Sequence, residues 1–218
     1  GETSEGPGRS IVVAPEPFRR SADELVQLAM RNAAEAKLDP KSGAAILVGH
    51  DGDPMFEDRL QALKEALADA GVAEVGEVRF TREADAARRE LVAYLKEHPK
   101  ATLVLGVENL ALSAAHEAVG TLGEEHPFVL AGYSADEQDG KLQTQMGEYA
   151  GLAYYAPDRL YRKGVNVGAH LMRGTKRGTE LADRVEIETP VYASRPGSGL
   201  PRAREVANPP VRPPDESD

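Results

Sequence analysis

His50-Asp51-Gly52-Asp53 places an imidazole and two carboxylates within four residues, directly after the apolar run Ala44 to Val48. Such a set at a strand end could hold a divalent cation or accept a phosphoryl group, and Asp-x-Asp after a buried strand opens one phosphotransferase architecture. Asp53 has a second explanation, because it precedes Pro54. An aspartate accepts from the free backbone donors of a first helical turn, and proline is favoured at the first helical position. No lysine or later acidic pair stands in a supporting loop. The histidines, at 50, 98, 116, 126 and 170, lack the i, i+4 pairing of a zinc helix, and cysteine is absent. There is no glycine-rich phosphate fingerprint and no serine elbow. The residues therefore point to recognition, with no catalytic residue, metal ligand or cofactor assigned.

Arg59 lies one to two turns into the helix that Asp53 opens. Its guanidinium can fork to a hydroxyl pair or a carboxylate; the alternative is an exposed arginine paired with Glu57 or Asp58. Glu108 and Asn109 follow Val107 at a corresponding junction, where either can cap the next helix or hydrogen-bond a polar ligand. Tyr133, Ser134, Tyr154 and Tyr155 gather at the ends of two later apolar runs. Tyrosine faces stack on sugar rings, and tyrosines at strand ends also serve as core residues with one wet end.

The elements that position these residues follow from periodicity. Ile11 to Ala14 reads as a short strand, and Ser21 with Glu24 as a capping box opening a helix whose stripe is Leu25, Leu28, Ala29, Ala33 and Ala36. Ala44 to Val48 is apolar on both faces, so it is a buried parallel strand. Phe56, Leu60, Leu63 and Leu67 repeat at helical spacing until Gly71. A weaker strand, Glu77 to Phe80, precedes a helix from Glu83 to Glu97 with Ala84, Ala87, Leu91 and Leu95 inward. Thr102 to Val107 and Leu110 to Leu122 repeat the strand and helix. Phe128 to Ala131 is the next strand, followed by a less regular turn and a strand around Ala150 to Tyr155. Asp158 to Arg173 is the last helix, where Gly164 and Gly168 on one face allow close approach to the sheet. Val185 to Ala193 is extended. Strands that alternate with helices require crossovers, hence parallel pairing and ligand positions beyond the strands' carboxyl ends. The expected fold is a three-layer α/β/α sandwich with a doubly wound, mainly parallel sheet of central order near 2-1-3-4-5 and the final strand at an edge.

Residues 1–8 read as a flexible leader, 9–193 as one α/β lobe, and 194–218, with six of the fifteen prolines, as a disordered tail. A formal net charge of −10 disfavours nucleic acid as a partner. No apolar run approaches the roughly 20 residues that cross a bilayer.

The run GHDGDPMFEDRLQALKEAL resembles the segment of type I periplasmic sugar-binding proteins in which a strand and short loop lead to a helix carrying an arginine. HPKATLVLGVENLALSAAHEAV resembles that family's helix ending in His-Pro, followed by a strand, an acidic loop and a small-apolar helix. FVLAGYSA and GLAYYAPDRLYRKGVNVGAHLMRG resemble its last strand-end loops and closing helix. The resemblance spans Arg9 to Ala193 and covers the carboxyl-terminal lobe alone of a protein whose two lobes clasp a sugar. It implies a periplasmic or cell-envelope location, with a membrane transporter and either the missing amino-terminal lobe or a second copy as partners. It also implies a ligand site at Arg59, Asp53, Glu108, Asn109, Ser134 and Tyr155. Arg59 falls where the family places a sugar-binding arginine. Val107 stands where an asparagine is expected, with the acidic Glu108 after it; Ser134 replaces an aspartate and Tyr155 a glutamine. Each unpaired hydroxyl costs about 1–3 kcal/mol, so the changes imply an altered or lost sugar ligand. Three functions follow: a non-catalytic sugar-binding-like lobe, an interaction module derived from one, or a metal-dependent phosphohydrolase using His50, Asp51 and Asp53.

Overall fold

Alternating apolar and amphipathic segments fold into a wound α/β sandwich, seen in a computed structural model that describes residues 12–49, 53–81, 83–173, 184–195 and 200–201. In chain order the elements are β1 (Val12–Pro15), α1 (Arg19–Glu35), β2 (Ala44–Gly49), α2 (Pro54–Asp69), β3 (Val75–Phe80), α3 (Ala84–Glu97) and β4 (Leu103–Gly106). They continue with α4 (Asn109–Leu122), β5 (Val129–Ser134), α5 (Glu137–Met146), β6 (Gly151–Tyr154), α6 (Pro157–Arg173), β7 (Arg184–Ile187) and β8 (Val191–Ala193). Every residue of β2, β4, β5 and β6 is buried, as continuous apolar runs require when helices cover both faces.

The main sheet runs β3-β2-β4-β5-β6-β8 and is parallel except for the antiparallel edge pair β6–β8. Counted from β2, this is the expected 2-1-3-4-5 order with the last strand at the edge. β1 stands outside it, pairing in parallel with β7 from Val12↔Arg184 to Pro15↔Ile187. The extended segment at the end of the lobe is thus shared between two sheets.

Helices α1 and α2 cover one face through Leu25, Ala29, Leu63 and Leu67 packed on Ile46, Val48, Leu105 and Ala131. Helices α3 and α4 cover the other through Leu91, Leu95, Ala111 and Ala115 on Leu47, Val104 and Leu130. Each fully buried leucine contributes about 1.5–3 kcal/mol toward seating its helix on the sheet.

Four expectations are corrected. Ser21 does not cap α1, which begins at Arg19 after Phe18; Ser21 is buried inside the first turn and donates to the Phe18 carbonyl at 3.0 Å. The irregular turn after β5 is the helix α5, capped by Asp136 accepting from the amides of Gln138 and Asp139 and ended by the left-handed Gly147. Its polar sequence, buried only at Gly140, Gln143 and Thr144, hides the period. Gly164 and Gly168 do not approach the sheet: a Cβ at either meets no described atom within 4 Å. Packed chain also continues past Ala193, since Ser194 donates to the Ala150 carbonyl and Leu200 packs on the core. The expected leader and most of the expected tail lie outside the described residues.

Candidate functional site

The carboxyl ends of β2, β4, β5 and β6 point the same way because the strands are parallel, and they bring the six expected positions to one rim. Asp53 ends the β2–α2 loop. Its carboxylate accepts from the Met55 amide at 2.9 Å and caps α2, with Pro54 leading the first turn. His50, Asp51 and Gly52 lie outside the described residues. Among the described residues, no group of three His, Asp or Glu side chains is placed to hold a metal ion.

Arg59 departs from both sequence readings. Its side chain is 0 % exposed. Nη1 donates to the Val107 carbonyl at 2.8 Å, Nη2 donates to Met55 Sδ, and Nε is buried without a hydrogen-bond partner. The guanidinium carbon stands 3.7 Å from the Tyr155 ring centre, with Phe18 at 5.0 Å, Tyr133 at 5.4 Å and Phe56 at 5.7 Å. This is an aromatic cage in which cation–π attraction replaces part of the lost hydration. Burial lowers the Arg59 pKa, countered by Tyr155 and Tyr133. Glu57, one of the two expected partners, instead pairs with Arg79 at 2.7 Å.

The cage is built from three elements besides α2. Tyr133, at the end of β5, is fully buried; its hydroxyl donates to the Phe18 carbonyl at 3.2 Å and lies 3.1 Å from Ser21 Oγ. Its ring meets Phe18 edge-on at 5.6 Å. Burial pushes the Tyr133 hydroxyl well above the usual tyrosine range. Tyr155 is half-buried; burial raises its pKa and the Arg59 charge opposes that rise.

The expected capping roles of Glu108 and Asn109 are also corrected. Glu108 occupies the cap position of α4 without a side-chain cap bond. Its carboxylate lies over Gly49 instead, where an added Cβ would fall 1.6 Å from Oε1, so β2 must end in glycine for the side chain to fold back there. Asn109 is the first residue of α4, and its Oδ1 accepts from the Ala135 amide at 2.6 Å, tying that helix to the β5–α5 loop. Ser134 Oγ donates to the Asp136 carbonyl and accepts from its amide, closing a local turn. Tyr154 turns away and donates to Asp158 at the start of α6.

The structure thus gathers Arg59 and Tyr155 into contact and sets Asp53, Asn109 and Ser134 to holding loops. Phe18, Met55, Phe56 and Tyr133 are the members of the arrangement that sequence reading assigned no role beside the arginine. Tyr133 was visible as one of a cluster of strand-end tyrosines; Phe18, remote in sequence, carried no signal.

No protein-family model and no curated protein sequence matches the chain. Solved structures do. A sugar transporter from Clostridium phytofermentans superposes with a TM-score of 0.67 at 14% identity, over 88% of this chain and 65% of that one. A carbohydrate transporter solute binding protein from Agrobacterium Radiobacter, in complex with D-arabinose, gives 0.68 at 13%, over 85% and 61%. A LacI family transcriptional regulator from Arthrobacter sp. FB24 gives 0.64 at 18%, over 90% and 68%. The fold is the periplasmic-binding-protein fold. At these identities the likeness is one of fold, and the chain spans 61–65% of the two transport proteins' length.

Proposed function

We propose that this chain is a non-catalytic, sugar-binding-like lobe of a cell-envelope solute-binding protein whose inherited ligand position now supports the lobe itself. One observation carries the reading: Arg59 is 0 % exposed and already bonded to the Val107 carbonyl. A free sugar would have to displace Tyr155 from the guanidinium face to reach it. With Val107, Ser134 and Tyr155 in the other contact positions, few hydrogen-bonding groups face a ligand, and each unmet sugar hydroxyl costs about 1–3 kcal/mol.

The working contact of such a lobe is with protein, and the partner is a second α/β lobe, which a second copy of the chain can supply. The β1–β7 sheet has two strands, too few to stand as an independent layer. Beside it α6 contacts β1 and buries only Val167, leaving Tyr161, Val165, Leu171 and Met172 at 75%, 52%, 41% and 85% exposure. A lobe that extends the small sheet would cover that face, and the solved neighbours' additional length leaves room for one.

Thermal-shift titration with D-allose, D-arabinose, D-glucose and D-galactose tests the ligand side. Saturating a site at 100 times Kd adds about 2.7 kcal/mol, or about 5–10 °C for a chain of this size. The expected shift is below 1 °C at 10 mM, and a rise of several degrees overturns the reading. Light scattering tests the partner side: association that Val165→Glu abolishes supports it, and a monomer at hundred-micromolar concentration counts against it.

A further inference from the structure

Helix α6 lies on the surface of the lobe. It packs on β1, buries only Val167, and leaves Tyr161, Val165, Leu171 and Met172 exposed. At 3.6 residues per turn, those four and Leu160, Gly164, Val167 and Gly168 all fall within about 80° of one line along the helix, which runs between the two glycines. Arg159, Arg162, Lys163 and Arg173 lie about 120° or more from it. The open face is apolar along its length, and its centre is a notch: a Cβ on either glycine meets no described atom within 4 Å. Each glycine weakens the helix relative to alanine, and no packing within the lobe uses the space it leaves.

Two features of this face select its occupant. The first is symmetry. Counted outward from Asn166, Val165 matches Val167, Gly164 matches Gly168, Tyr161 matches Leu171 and Leu160 matches Met172. In an antiparallel pair of identical helices related by a two-fold axis at the level of Asn166, each of these residues stands at the height of its match on the other copy. Apolar then meets apolar and glycine meets glycine, and only a second copy matches this pattern by construction. The second feature is charge. α6 carries four cations against Asp158, a net +3 in a chain of −10, so the rest of the chain sums to −13. The helix of one copy is therefore drawn to the body of another, while its cations lie away from the seam between the helices.

We propose that α6 is the dimerisation helix of this chain, crossing a second copy of itself nearly antiparallel, with Gly164 of each copy against Gly168 of the other. The inference rests on the reading of the chain as a lobe with a protein partner; it makes that partner an identical copy and the contact α6. Small residues at the crossing let the axes close to the short end of the usual range of about 8–10 Å, and a shallow angle of about 20° keeps Tyr161 and Met172, near the two ends, in the seam. One helix pair is a small interface, so a Kd of roughly 10–100 μM is expected.

Sedimentation equilibrium of the full chain from about 1 to about 200 μM tests this, and a monomer–dimer equilibrium is expected. Gly168→Leu fills the notch and should weaken association about tenfold or more, while the melting temperature of the dilute monomer holds or rises because leucine is the better helix former. Register is read with thiols, since the natural chain has no cysteine. Tyr161→Cys in one copy stands at the height of Leu171→Cys in the other, within disulfide reach, whereas either variant alone holds its two thiols about 15 Å apart along the seam. Under oxidised glutathione an equimolar mixture should form disulfide-linked dimers, and neither variant alone should. A chain that stays monomeric at about 200 μM overturns the proposal together with the self-association it rests on; if that monomer pellets with phosphatidylglycerol vesicles, the face is a membrane contact instead. Association that survives Gly168→Leu, or thiols that link as well alone as mixed, overturns the α6 crossing and leaves the lobe with a protein partner on another surface.

Discussion

Replacing Arg59 by methionine asks whether the buried guanidinium holds the crevice together or is merely tolerated there. On the side of loss stand the bond to the Val107 carbonyl, about 1.5–3 kcal/mol for a charged donor, and desolvated stacking on Tyr155, about 2 kcal/mol. On the side of gain stand the desolvation of an ion with no carboxylate bonded to it, several kcal/mol, and the unpartnered Nε, about 1–3 kcal/mol. The first sum is about 3.5–5 kcal/mol and the second is of similar size. Methionine keeps the length of the side chain and packs against aromatic faces, so the net change should lie within about 1.5 kcal/mol of zero, or about 5 °C in Tm. Arg59→Ala removes the volume as well and opens a cavity walled by Phe18, Phe56, Tyr133 and Tyr155. That should cost about 3–5 kcal/mol and lower Tm by about 6–20 °C. Circular dichroism melts of the two variants beside the natural chain give the answer. If methionine is as damaging as alanine, the guanidinium bond outweighs its desolvation, and the account of the cage as a tolerated buried charge is wrong.

Asn109→Ala strips the acceptor from the Ala135 amide and should cost about 1–2 kcal/mol in urea titration, with Asn109→Asp largely restoring it. Gly164→Ala and Gly168→Ala find open space and should each stabilise the chain by up to about 1 kcal/mol; a loss of stability would show that something packs on that helix face. Burial raises the pKa of Tyr94, Tyr133, Tyr154 and Tyr155, with Tyr154 pushed up to about 12. A raised folded pKa means stability that is complete below the unfolded value of about 10 and is lost as pH climbs toward 12. The urea midpoint should therefore fall between pH 10 and 11.5 as absorbance at 295 nm rises, and a flat midpoint across that range contradicts the burial of these hydroxyls.

Much of the scaffold was legible because its cause is local. Ala44 to Val48 is apolar on both faces and lies between two helix-period segments, which permits only a buried parallel strand. Asp53-Pro54 starts α2 as its chemistry demands, and Gly71 ends that helix in the left-handed conformation. α5 was not legible, because a short polar helix with three buried residues lacks a stripe to read. The start of α1 is ambiguous in sequence because Ser21 offers the same hydroxyl to a cap or to the carbonyl three residues back, and Tyr133 favours the second.

Sequence alone determined the wound sheet and the placement of Asp53, Arg59, Glu108, Asn109, Ser134 and Tyr155 at its carboxyl rim, since strand direction and helix period are short-range properties. What Arg59 does there was decided only in three dimensions. Phe18 and Tyr133 reach it from positions 41 and 74 residues away in the chain, and their combined burial turns an apparent ligand-binding cation into an internal one. Which polar groups remain unpaired, as at Thr189, is likewise a sum over every neighbour, and no local pattern encodes it.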